Sequence, residues 1–272
     1  MYVLGPARQR ALGASGLALE HHRSYNSSWH EPQKYTATVA DIDLDLLRSC
    51  ADSIEQSWEL LGEQYLAQTG DVEGTEVKNG TIVLKCWQGK WWAAPSCRQN
   101  VSECAAIVTG GTGWGMTEMP QQAFFWNMPL AFATAAQAPV SQYYLLNKQL
   151  QSLLYWWAPD TMFALDDPNM IIFPKNNARE YAAGLYRTAK DRAILSNWVA
   201  GGLGRSDIRD ALQLVRKLHF TDEAMRGLLV DFSTFNGSAA DTACAWVRMH
   251  RHVWKDWLPN ATLPCLHWAC GA

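Results

Sequence analysis

The chain has 272 residues, of which 48% are hydrophobic and 18% charged, and it carries a net charge of −3. That balance suits a globular protein with one large core or two smaller ones. It has no Lys/Arg run to suggest nucleic acid and no apolar stretch of about 18 residues to suggest a membrane span.

Residues 1–34 show no clean periodicity and read as irregular chain. Their short apolar stretch is broken by Gly and Ser, which makes a poor signal peptide. YTATVADID (35–43) alternates like a strand. Residues 44–68 carry apolar side chains at helical spacing. An Asn79-Gly80 turn leads into the strand GTIVLKCWQ (80–88). These segments make 35–104 the first part of one lobe.

AAIVTGG (105–111) is a buried-type strand ending in glycines. In the run that follows, Thr117 is placed to cap a helix with Glu118 and Pro120 in its first turn. PLAFATA (129–135) reads as a strand and 140–153 as a helix. LLYWWAPDTMF (153–163) reads as a strand stopped by Pro159, and MIIFPK (170–175) as another. Residues 105–200 are thus expected to form mainly the second lobe.

The last part, 201–272, is helical. Ser206-Asp207 opens a helix with Ile208, Ala211, Leu212, Val215 and Leu218 on one stripe. Thr221 caps the next, and Ser238 with Asp241 forms a capping box for the last. Strands interleaved with helices indicate an α/β fold.

Seven cysteines are present. Cys97 and Cys104 bracket one short loop, and Cys265 and Cys270 another; both spacings suit local disulfides. The odd count leaves one thiol over. Five Asn-x-Ser/Thr sequons occur, at Asn26, Asn79, Asn100, Asn236 and Asn260. Disulfides and sequons together point to an extracytoplasmic, glycosylated protein. No GxSxG elbow, no nucleophile beside a histidine and no zinc-ligand spacing is present. The chain reads as a binding protein rather than an enzyme, with no cofactor or metal.

The most unusual number is 14 tryptophans. Trp is large, and it is favoured where an apolar face meets a polar ligand. TGGTGWGM (109–116) sets Trp114 between two glycines, at the end of a strand and before a helix. Backbone N–H groups in such a turn suit a carboxylate. Trp157 stands before Ala158-Pro159 at the expected end of a strand, a place where α/β sheets bind ligands. Trp156 is expected to point to the opposite face and pack there. Trp246, Trp254 and Trp257 are expected to be structural.

GTGWGM before a helix, YWWAP at a strand end, and AADTACAWVRMH with a terminal Trp pair together resemble the substrate-binding proteins of glycine betaine/proline betaine ABC transporters. The resemblance covers roughly residues 50–258. It implies a two-lobed, hinged, type II periplasmic-binding-protein-like fold with mixed sheets. It also implies a cage of tryptophans around the ligand's trimethylammonium group, with Trp114, Trp157 and, by a looser match, Trp58 as walls. The N–H groups of Gly115 and Met116 would hold the carboxylate. A histidine often found one helical turn after the third Trp is replaced here by Gly62. The implied partner is a small quaternary-ammonium compound such as glycine betaine or choline, delivered to an ABC permease. The alternatives are a sensing ectodomain fused to a membrane receptor module, and a remnant that no longer binds.

Overall fold

In a computed structural model the described residues are 1–16, 19, 31–50, 58–110, 114–136, 140–157, 159–166, 168–191, 209–234 and 237–258. In chain order they form β1 (Tyr2–Val3), α1 (Gly5–Ser15), α2 (Trp58–Thr69), β2 (Thr75–Lys78), β3 (Thr81–Leu84), β4 (Trp92–Ala93) and β5 (Ala105–Thr109). Then come α3 (Met119–Phe125), β6 (Leu130–Thr134), α4 (Val140–Leu150), α5 (Thr161–Asp166), β7 (Asn169–Met170) and α6 (Ala178–Ala182). The last helices are α7 (Arg209–Lys217), α8 (Asp222–Thr234), α9 (Ala239–Met249) and α10 (Arg251–Trp254). The architecture is mixed α/β with small sheets. The chain divides into two compact units, one of Met1–Trp156 with Asp167–Asp191, the other of Trp157–Asp166 with Arg192–Ala272.

The first unit is built on β4-β6-β5, with β6 antiparallel to β4 and parallel to β5. Every residue of β5 and β6 is buried. That explains why AAIVT and LAFAT are continuous apolar runs rather than alternating ones. Leu153 bridges Ile107 in parallel and Leu154 bridges Tyr2, so the chain runs along the sheet there without forming a regular strand. The expected strand 153–163 is thereby cut short, and its far end is helix α5. The expected strand at 170–175 shrinks to β7, paired with β1. The expected strand at 35–43 is a single bridge from Thr38 to Ala105 followed by a 3-10 turn over Val39–Asp41. A capping box between Thr38 and Asp41 fixes that turn: local side-chain bonds won over alternation.

Residues 1–15, expected to be irregular, form β1 and α1. Helix α1 buries only Ala7 and Ala11, four residues apart. A face made of alanines is nearly invisible to a hydrophobic-periodicity reading.

Helix α2 lies against the β2–β3 hairpin. Gly62 makes this possible, because a Cβ there would run into the backbone of Ile82 and Val83. The Asn79-Gly80 turn joins the hairpin with both residues at positive φ, 50° and 82°. Only residues that tolerate the left-handed region fit there.

A buried ionic clamp closes the same region. Arg98 grips Asp71 with both guanidinium nitrogens, Nη1 to Oδ1 at 2.7 Å, and Tyr65 donates its hydroxyl to the same carboxylate. The Gly74 N–H adds a further donor at 3.2 Å. Burial alone would raise the Asp71 pKa, but these bonds outweigh it and hold the carboxyl below its usual range.

Cys97 and Cys104 are bonded, as the spacing predicts, and Cys50 is bonded to Cys86, which it did not. Cys244 is disulfide-bonded as well. The expected Cys265–Cys270 pair lies outside the described residues, as do Ser206-Asp207 and three of the sequons, at Asn26, Asn236 and Asn260. Such pairing belongs to an oxidising compartment.

The second unit is helical in its described part. Thr221 Oγ1 accepts the Ala224 N–H at 3.1 Å, and Ser238 and Asp241 form the expected capping box.

Candidate functional site

The turn between β5 and α3 carries the residues that sequence singled out. Gly115 has φ +81° and is buried. Its carbonyl accepts the N–H groups of Glu118 at 3.1 Å and Met119 at 2.8 Å, which winds the chain into α3. The cap of that helix is therefore Glu118, with no side-chain bond, rather than Thr117. A Cβ on Gly115 would meet the Tyr155 ring at 2.6 Å, so the turn is in close contact with that ring. Met116 is fully buried, with its side chain in the core of the first unit.

Trp114 is half-buried. Its benzo ring lies over Gly110, where a Cβ would collide with it. The two glycines thus act differently: Gly110 makes room for the indole, and Gly115 lets the backbone turn. Tyr143 meets Trp114 edge-to-face at 5.5 Å, and Trp156 does so at 6.0 Å. Tyr143 and Trp156 stack on each other at 5.6 Å, and Tyr144 meets Trp156 at 5.0 Å. Burial raises the Tyr143 pKa, keeping that phenol neutral, while its hydroxyl donates to the Tyr155 carbonyl at 3.2 Å. The result is a rigid aromatic wall in which Trp114 is held by rings that are themselves packed.

A polar group adjoins the turn. Glu118 accepts from the Tyr181 hydroxyl at 2.9 Å and from Lys190 at 2.8 Å. Tyr181 packs on Tyr186 at 4.7 Å. Burial first, then the Glu118 charge, raises the Tyr181 pKa, and the bond to Glu118 raises that of Lys190. Tyr155, over Gly115, feels both Glu118 and Lys190. Tyr143 and Trp156 thus pack on Trp114, Tyr155 contacts Gly115, and the Glu118–Lys190 pair follows at the cap of α3.

The other sequence-predicted residues fall differently. Trp58 opens α2 in the same unit, and its side chain lies outside the described residues. Gly62, where the resemblance would place a histidine, is taken up by the approach of α2 to β3. Trp157 is 40% exposed and starts the stretch of chain that belongs to the second unit. Trp156 is buried and packs, as its place next to Trp157 led us to expect.

Sequence reading missed Tyr143, Tyr144, Tyr155, Tyr181 and Glu118. The Tyr143-Tyr144 doublet in α4 was a usable signal. Both tyrosines of the doublet reach Trp156, one stacked on it and one edge-on. It also missed an apolar cavity of about 310 Å³ in the second unit, walled by Leu214, Leu218, Phe220, Trp246, Trp254 and Trp257 among others. Of these tryptophans, expected to be structural, Trp246 and Trp257 stack at 6.1 Å, and Trp254 donates its indole N–H to the Val247 carbonyl at 2.6 Å. Phe220 lies 5.1 Å from Trp246 and 5.3 Å from Trp257.

Among the described residues no group of three His, Cys, Asp or Glu side chains could hold a metal ion, and no described helix is long and apolar enough to cross a membrane. No protein-family model matches the chain, and no curated protein is significantly similar to it.

Proposed function

We propose that the chain is an extracytoplasmic binding module of the two-lobed periplasmic-binding-protein type, which holds a small quaternary-ammonium solute such as glycine betaine or choline against Trp114. One observation carries this reading: an indole mounted on a glycine turn, half-buried, and fixed in place by Tyr143 and Trp156. A quaternary ammonium has no N–H to donate, so its recognition rests on shape and on the negative faces of aromatic rings. A ring held rigidly before the ligand arrives loses little side-chain entropy on binding. Trp157 and Trp58 are the further walls in this proposal, with the Gly115 and Met116 amides for a carboxylate. Each ring supplies about 0.5–2 kcal/mol once desolvated; micromolar binding needs about 8 kcal/mol, so charge-assisted bonds and apolar burial must supply the rest.

Titration calorimetry with glycine betaine, choline, proline betaine and carnitine tests this. At least one is expected to bind, and Trp114→Ala is expected to weaken it tenfold or more with an unchanged circular dichroism spectrum. Trp114→Phe, which keeps a packed ring with a weaker quadrupole, should fall between. Flat traces for all four ligands from folded protein would end the proposal. The disulfides and sequons give weight to a second use of the same module, as the sensing ectodomain of a membrane receptor rather than the carrier for an ABC permease.

A further inference from the structure

We propose that Asn79 is the acceptor of an N-linked oligosaccharide, and that Asn100, the other sequon among the described residues, stays unmodified. The inference rests on the extracytoplasmic part of the functional proposal and not on its ligand.

The two sequons share a motif and differ in setting. Asn79 is the first residue of the two-residue turn between β2 and β3, flanked by the Lys78–Thr81 pair. It is exposed, and its side chain makes no hydrogen bond to another described residue. Asn100 is also exposed, but its amide nitrogen donates to Glu103 Oε1 at 2.7 Å, and its amide oxygen accepts from the sequon's own Ser102 hydroxyl at 2.5 Å. The rest of that sequon is wound into a 3-10 turn at Val101–Glu103, inside the loop closed by Cys97–Cys104. The nitrogen that must react is therefore engaged at Asn100 and open at Asn79.

The modification is a group transfer from a lipid-diphosphate-linked oligosaccharide, the donor of the secretory pathway. A bond forms between sugar C1 and the Asn79 amide nitrogen. The C1–oxygen bond to the diphosphate breaks, and the lipid diphosphate leaves with that electron pair. The amide gives up one proton to a base of the transferase.

The same hairpin shows what the sugar would do. Val77, two residues before the turn, is 70% exposed, and Val72, at the far end of the hairpin, is 72% exposed. Strand β2 pairs with β3 on one side and has no strand on the other among the described residues. An exposed strand edge is a template for aggregation, which proteins blunt with bulk or charge, and β2 already carries the Glu76–Lys78 pair. A hydrophilic, bulky glycan at the tip would cover that edge.

The test is secretion of the chain from insect cells behind a cleavable leader, with glycan occupancy mapped peptide by peptide. Asn79 is expected to be occupied in most molecules and Asn100 in few. Asn79→Gln and Thr81→Ala should each remove one endoglycosidase-sensitive mobility step and increase aggregation. Thr81→Ala leaves the turn residues intact, so a turn defect cannot mimic the result. Opening the loop with Cys97→Ser and Cys104→Ser should let Asn100 be modified. Secreted protein with Asn79 bare, or with Asn100 occupied as fully as Asn79, would overturn the proposal. Since only secreted molecules are scored, that failure is separate from a failure of ligand binding.

Discussion

Gly62 shows how one residue carries two meanings. By resemblance it is the place where a histidine donor is lost. In the structure it is the point where α2 touches the β3 backbone, and no side chain fits. Gly62→Ala should destabilise the protein by about 2 kcal/mol, the usual cost of overpacking, read as a lower urea midpoint. An unchanged midpoint would mean the helix and hairpin do not meet there. Spacing could not reveal this, because a glycine kept for close approach looks the same in sequence as one that has replaced a ligand. Met116 teaches a related lesson. Sequence placed its amide beside a ligand, and the structure adds that its side chain anchors the turn in the core. Trp114 was legible because an aromatic residue with a glycine on each side, just after a buried-type strand, marks a tight turn that carries a ring.

Elements were legible where a local signal fixes them. The capping box at Ser238 and Asp241 and the Thr221 cap are formed as the sequence predicts, since caps depend on residues three apart. The sheet strands β5 and β6 were legible from apolar runs. Helix α1 was not, because its buried face is alanine, and the strand expected at 153–163 was not, because Pro159 and the turn to α5 outweigh the apolar pattern. The Asp71–Arg98–Tyr65 clamp was invisible for another reason: its members are 27 and 6 residues apart along the chain and meet only after α2, β4 and the disulfide loop have packed. It makes a prediction about pH. The Asp71 pKa is lowered in the folded protein, so the unfolded chain binds its proton more readily. The clamp's contribution is complete above about pH 4 and is lost as the pH falls through the lowered value. Asp71→Asn should cost about 3 kcal/mol at neutral pH, by leaving a buried guanidinium uncompensated. It should also flatten the acid limb of a stability–pH curve from urea melts. A curve parallel to wild type below pH 4 would show that Asp71 is not the group responsible.

For the whole molecule, composition forecast local features rather than a functional class. Tryptophan excess and paired cysteines forecast aromatic clusters and disulfides, and both are present. The chain crosses between its two compact units around residues 156–157, inside the YWW motif. The functional proposal rests within the first unit, on the Trp114 indole and the rings that hold it. Charge, not just shape, must then matter to affinity. Choline and its uncharged isostere 3,3-dimethylbutan-1-ol have nearly the same volume, and they differ in the positive centre that ring faces attract. Calorimetric titration of both into the wild-type chain measures that difference directly. The account predicts that choline binds about thirtyfold more tightly, the equivalent of about 2 kcal/mol of cation–ring attraction, and that Trp114→Ala removes most of the gap. Equal affinities for the two, or a gap that survives Trp114→Ala, would contradict it.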